Sequence, residues 1–436
     1  MKSSKVFSLE IKLEIKKGGS KIKVNKNKFL CKMSIIVSLC MVLSLCFVGL
    51  AQAQEEIPLG ILISLTGALG TEGQPVYQTY QWQTEEINRL GGGPLGRPIK
   101  LYVADDETSV ERGILGCKKL ITVNGVKGIL GPVSDVLIAI MDYCKDNKIT
   151  VISQWAGSHR LSEIGGEYQF RTAPDDFFEG YATTAFMLDQ GWKEIGLIVL
   201  NRESPKSIGD IIEQQMKKMG GEVVAKQIIE PGMTTYRAEV RKISDAKPKA
   251  VFLAVDLDTL VVLYPQMYEA GIDYVVVLGS DAQQPTTIEV LGAKLLENVY
   301  SEKPAAESNS PAYRIFEEKY KKYMKAAVSS FTPNAYDALN IWALAVQAAG
   351  TVDGEAIAQK IRYVANPPGI VVHSYVEGML QLRSGNDINY EGASGPCDFN
   401  EFGDIMGNIR IIQTKNGEWV DVKFYSGEEI TKITGQ

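Results

Sequence analysis

The chain is 436 residues long, with 46 basic and 52 acidic side chains, two histidines and a net charge of −6. That balance offers nothing to hold nucleic acid or an anionic membrane surface. Two histidines far apart in sequence leave almost no material for a His-based metal site or a Ser-His-Asp arrangement, so no metal, cofactor or catalysis is expected.

The first predicted element is a leader. Ten lysines and two acids accompany an apolar run, Ser34–Ala51, and Ala51-Gln52-Ala53 has the small-residue spacing of a cleavage site. Residues 1–53 are expected to be a secretory signal peptide, which places the remainder in a periplasmic or extracytoplasmic compartment. The apolar run is also about long enough to span a bilayer, so a retained anchor is the alternative. Cys40 and Cys46 follow leucine, which makes a lipoprotein site the weaker reading. Beyond the leader stand 36 basic and 50 acidic residues, a net of −14. About 380 residues suggest two domains of ordinary size. Three cysteines remain, Cys117, Cys144 and Cys397, with no CxxC spacing. A Cys117–Cys144 bridge is conceivable, because both fall on neighbouring predicted helices.

From Ile57 onward short apolar runs alternate with amphipathic segments. Strands are expected at Pro58–Leu65, Ile99–Ala104, Val126–Leu130 and Ile149–Ser153, with helices at 74–90, 108–123 and 135–147. A second series follows, with strands Ile195–Leu200, Val223–Ile229, Ala250–Val255 and Tyr274–Leu278 and helices at 207–219, 235–246 and 257–270. This alternation means βαβ units and parallel sheets. The fold class expected is α/β, with two doubly wound lobes. Within the first series, Gly67-x-x-Gly70-x-x-Gly73 lacks the dinucleotide spacing and reads as a glycine-rich turn. Asp105-Asp106-Glu107 reads as a helix-capping group rather than a metal site. After Pro304 the pattern is helical at 309–324, 334–349, 354–364 and 373–383, which puts His373 on a helix. A hairpin is expected at Asn416-Gly417, between Ile409–Thr414 and Trp419–Phe424.

Several segments occur in one order: Ile61–Gly73 (ILISLTGALGTEG), Glu86–Gly92, Leu95–Ile99, Ile129–Ser134, Phe170–Pro174, Asn334–Ala338 and Tyr390–Pro396. Together they resemble the branched-chain amino-acid-binding proteins, the type I periplasmic solute receptors of ABC importers. The resemblance covers essentially the whole chain after the leader. It implies lobes joined by a three-segment hinge with crossovers near 172–176, 301–305 and 396–404. Lobe one would comprise 54–174 and 304–397, and lobe two 175–303 and 398–436. The ligand would lie in the interlobe cleft, at the carboxyl ends of the strands.

Residue by residue, the resemblance implies that Asp281 holds an amino-acid ammonium and that Tyr336 closes over the ligand. Ala156, Gly157 and Ser158 match a ligand-binding turn, and Trp155 before them would face the cleft. At Ser134–Asp135 the family usually has a serine at the second position, where it holds the ligand carboxylate. Asp135 would either line the pocket or cap its own helix. Glu72 stands where a tyrosine or small residue is common. Two added acids would repel an α-carboxylate. The expected function is capture of an amino acid, amide or related small polar solute for an ABC permease. The alternatives are a membrane-anchored sensor and a receptor for a cationic or amide solute.

Overall fold

The computed structural model describes residues 55–284 and 286–435. The leader lies outside the described residues, and no described helix is long and apolar enough to cross a membrane.

The first lobe is a parallel sheet in the order β2-β1-β3-β4-β5. Its strands are β1 (Ile57–Ile63), β2 (Ile99–Asp105), β3 (Gly128–Leu130), β4 (Thr150–Ser153) and β5 (Gln169–Arg171). Between them run helices α1 (Gly70–Gly91), α2 (Val110–Thr122) and α3 (Ser134–Asp146). Burial on both faces of the sheet explains why the run IPLGILI of β1, paired with β2 and β3, is apolar throughout rather than alternating.

The second lobe is a seven-stranded sheet in the order β14-β13-β10-β9-β8-β6-β7. It begins with helix α4 (Asp176–Asp189), followed by β6 (Glu194–Leu200), α5 (Glu203–Met219), β7 (Glu222–Ile229) and α6 (Arg237–Asp245). Next come β8 (Ala250–Ala254), α7 (Leu257–Glu269), β9 (Val275–Leu278) and β10 (Tyr300–Pro304). The chain then returns to the first lobe with α8 (Pro311–Met324), α9 (Thr332–Ala349) and α10 (Gly354–Ala365), and closes the second with β13 (Ile409–Lys415) and β14 (Glu418–Tyr425). The expected hairpin is present. Asn416 and Gly417 both take positive φ, 52° and 80°, as a two-residue turn between twisted strands requires.

Both sheets reverse their strand order beside the first strand, between β1 and β3 and between β6 and β8. Loops leaving those strands diverge there and leave a crevice at the carboxyl ends. Three connections cross between the sheets, after Arg171, after Pro304 and after Tyr390. The first and third run side by side, bridged at Pro174 and Ile405.

Arg171 ties these connections together. Its buried guanidinium bonds Asp404 at 2.5 Å and Asp175 at 3.0 Å, and donates to the carbonyl oxygens of Ala156 and Ser158. A buried cation is tolerated only when so completely partnered.

Several local expectations are corrected. Asp105 and Asp106 do not cap the following helix, whose cap is Ser109. They staple the β1–α1 loop, accepting from Leu65 N–H and the Thr66 and Ser64 hydroxyls. His373 sits in a bend ahead of its helix, its N–H bonded to Glu377. Short strands β11 (Ile370–Val372) and β12 (Ile388–Tyr390) pair on either side of the helix expected at 373–383, where no strand was expected. Cys117 and Cys144 do meet, with Sγ atoms 3.6 Å apart, but both are free thiols. The glycine turn reading holds: a Cβ on Gly73 would fall 1.7 Å from the Ser64 carbonyl oxygen, so α1 approaches β1 only through glycine.

Candidate functional site: the interlobe cleft

The two lobes face each other across a narrow cleft. From the first lobe, Ser134 and Asp135 open α3 after β3, and Trp155 and Gly157 follow β4. From the second, Arg202 and Ser204 follow β6, and Gly279, Ser280 and Asp281 follow β9. These are loops at strand carboxyl ends, held by two rigid sheets.

The lobes touch. The Glu203 N–H at the start of α5 donates to Asp135 Oδ1 at 3.0 Å, and Asp176 N–H donates to the Gly157 carbonyl at 2.7 Å. Ser158 Oγ donates to Glu203 at 3.2 Å, and His159 N–H donates to Ser207 at 3.0 Å. Gly157 is needed at this contact, because a Cβ there would lie 2.0 Å from Asp176 Oδ1.

The chemistry of the cleft is acidic. Five carboxyl side chains line it, Asp135, Asp176, Glu179, Asp281 and Glu302, against one arginine, Arg202. Arg202 is itself shared between Asp256 at 3.6 Å and Asp135 at 4.0 Å. Glu179 on α4 and Glu302 on β10 lie side by side, and Ser280 bonds both: its N–H donates to Glu302 at 2.9 Å and its hydroxyl to Glu179 at 3.0 Å. Burial pushes Glu302 up to about 7. Burial and then the charge of Glu302 raise Glu179 well above the ordinary carboxyl range. Two carboxyls so placed share a proton, since both cannot ionise cheaply. Asp176 is raised well above its usual value by burial and then by Glu179, and its Oδ2 has no hydrogen-bond partner. Asp281 is raised by burial, opposed by the charge of Arg202. The opposite wall is aromatic, where Trp155 and Phe331 pack at 5.8 Å.

The sequence profile described as periplasmic binding protein matches residues 56–418. The chain belongs to the periplasmic binding protein family. Among its relatives, the Leu/Ile/Val-binding protein BraC3 of Rhizobium johnstonii is 24% identical over 326 residues, 74% of this chain and 87% of that protein. The leucine-binding protein LivK of Thermotoga maritima has the same fold, with a TM-score of 0.75 at 20% identity over 86% of this chain and 99% of its own. An ABC-transporter solute-binding protein from R. palustris, solved with benzoate, reaches 0.73 at 15% identity over 85% and 97%. The α/β two-lobed architecture expected from the sequence is thus the family's own, and the family is one of binding proteins rather than catalysts. At these identities the solved structures speak for the fold alone, which hosts different solutes by changing cleft residues.

In this periplasmic binding protein, Ser134, Asp135, Trp155, Gly157 and Asp281 meet in the cleft. Ala156 and Ser158 are buried beside it, with Ser158 N–H donating to Ser134 Oγ at 3.2 Å. Of the two roles expected for it, Asp135 lines the cleft and does not cap its own helix, which Val133 precedes without a side-chain cap; its carboxylate also accepts from the Glu203 N–H at the start of α5 in the facing lobe. Glu72 is 3% exposed in the first turn of α1, and neither carboxyl oxygen has a partner. It stands behind the cleft lining, raised well above its ordinary value by burial and then by Asp281.

Tyr336 is not brought to the cleft. It is fully buried inside the first lobe, stacked on Trp82 at 5.8 Å with its hydroxyl 3.3 Å from Lys319. The reason is that α9 is buried on every face, so its start packs inward; Phe331, one residue before it, reaches the cleft instead. Asp176, Glu179 and Glu302 escaped the sequence reading because they sit on crossover segments with little apolar periodicity. Glu302 in Tyr300–Pro304 could have been noticed as an acid inside a strand, a position that favours function over packing.

Proposed function

We propose that the protein is an extracytoplasmic receptor that captures a small amine-bearing polar solute, of amino-acid type or related, and delivers it to an ABC permease. The observation that carries this is the row of buried carboxyls, Asp281 foremost, facing Trp155 across the interlobe cleft. A cationic nitrogen placed there would be paired on the second lobe and covered by an aromatic face on the first. Contacts such as Asp135 to Glu203 would then hold the lobes closed, the form a permease distinguishes from the open one. Family membership and the leader sequence support the compartment.

The test is Asp281→Ala in a binding assay against a ligand found by thermal-shift screening. Removing one partner of a buried ion pair costs about 3–5 kcal/mol, so affinity should fall on the order of a hundredfold or more with little change in ligand-free melting. Affinity within threefold of wild type removes Asp281 from the site.

A further inference from the structure

The acids of the cleft outnumber what one ammonium group needs, and their surroundings say which solutes are refused. An α-amino acid brings a carboxylate with its amine, and that carboxylate needs a donor-rich corner. The resemblance to amino-acid receptors placed this corner at Ser134–Asp135. Here Ser134 Oγ accepts from Ser158 N–H and keeps a single O–H to donate, and the next side chain is a carboxylate committed to Glu203 N–H. Arg202, the one cation lining the cleft, is offset in charge by Asp135 and Asp256 at 4.0 and 3.6 Å, and its buried Nη1 is left without a hydrogen bond. A buried, unpartnered oxygen, Asp176 Oδ2, belongs to a side chain that lines the cavity. Behind it the first lobe carries Glu72, buried with both oxygens unpartnered and close enough to Asp281 to be raised by that neighbour's charge.

We propose that the cleft selects a small organic cation without a free carboxylate, held in the second lobe by Asp176, Glu179, Asp281 and Glu302 and covered from the first by Trp155, with the buried carboxyl of Glu72 behind it. This rests on the receptor reading above and narrows it to one solute class. The unpartnered oxygens are the strongest reason. A buried acceptor without a donor is costly, and a ligand N–H supplies the missing donor, whereas a ligand carboxylate supplies none. A cation also explains how two acidic faces can close on each other. The carboxyls of Asp135 on one lobe and of Asp176, Glu179, Asp281 and Glu302 on the other crowd one another until a positive centre lies near them. Trp155, tilted against Phe331, adds a face to which ammonium, alkylated or not, is attracted.

Titration calorimetry of the purified protein with matched pairs tests this: agmatine against arginine, cadaverine against lysine, and choline against betaine. The members of each pair differ chiefly by a carboxylate and keep their charge between pH 6 and 8. The carboxylate-free member should bind at least tenfold tighter in the pair that fits the cleft. Its affinity should rise with pH as the shared Glu179–Glu302 proton is displaced. Glu72→Gln and Glu302→Gln should each narrow the gap within that pair, a change that a purely structural role would not produce. Tighter binding of an amino acid or betaine overturns the inference while upholding the receptor. Preferential binding of benzoate, strengthening as pH falls, does the same, because protonated acids would then be donating to an anion. No binding by any of these compounds, with no change in solution scattering, counts against both readings.

Discussion

Glu302→Gln isolates the proton shared at the floor of the cleft. Glu302 titrates at about 7 in the folded protein against 4.5 for an ordinary glutamate. A pKa raised by folding contributes stability that is complete below the unfolded value and lost as pH rises through the folded one. The difference amounts to roughly 3 kcal/mol between pH 4 and 8, at about 1.4 kcal/mol for each pH unit. The groups facing Glu302 are Glu179 and Asp176 from α4 and Asp281 and the Ser280 N–H from the turn after β9, and no cation is among these influences. His159, whose bond to Asp175 raises it, loses stabilisation in the same direction but is untouched by the substitution. Ligand-free melting temperature should therefore fall by several degrees between pH 5 and 8 in the wild type. In the glutamine variant the slope should be clearly shallower, because Glu179 also loses a charged neighbour. Scanning calorimetry at five pH values measures both slopes. Parallel curves for the two proteins would refute the shared-proton reasoning.

Arg171→Leu strands Asp175 and Asp404 without their buried partner and should destabilise the protein by about 3–5 kcal/mol in urea unfolding; a loss under 1 kcal/mol would mean that water replaces the guanidinium. Gly157→Ala puts a methyl group 2.0 Å from Asp176 Oδ1, so the lobes should fail to close fully. Scattering should show a larger ligand-bound radius and titration at least a tenfold weaker affinity, and wild-type values for both would show that the contact yields easily. Asp135→Ala removes the cap from α5 in the facing lobe and should weaken ligand binding by about 1 kcal/mol, roughly fivefold, with Asp135→Asn restoring part of it. N-terminal sequencing of the secreted protein should begin near Gln54, and a retained Ser34–Ala51 segment would favour the anchored sensor.

The sequence by itself determined the two βαβ series, the fold class and the hairpin at Asn416-Gly417. These depend on local chemistry: apolar runs of strand length, amphipathic helices between them, and a turn pair that tolerates positive φ. The family resemblance carried by its motifs also pointed to the loops after β3, β4 and β9, which chain direction places at the carboxyl ends of a parallel sheet. Only the tertiary structure decided which side chains reach the cleft. Tyr336 lies on a helix buried on all sides, so its motif says nothing about which face it presents. Asp135 finds its partner, the Glu203 N–H, on the facing lobe, and no local pattern encodes such a contact. Glu179 and Glu302 are separated by more than a hundred residues and become one titrating pair only because α4 and β10 are packed together. Burial did the rest, raising carboxyls that in an extended chain would be ordinary acids.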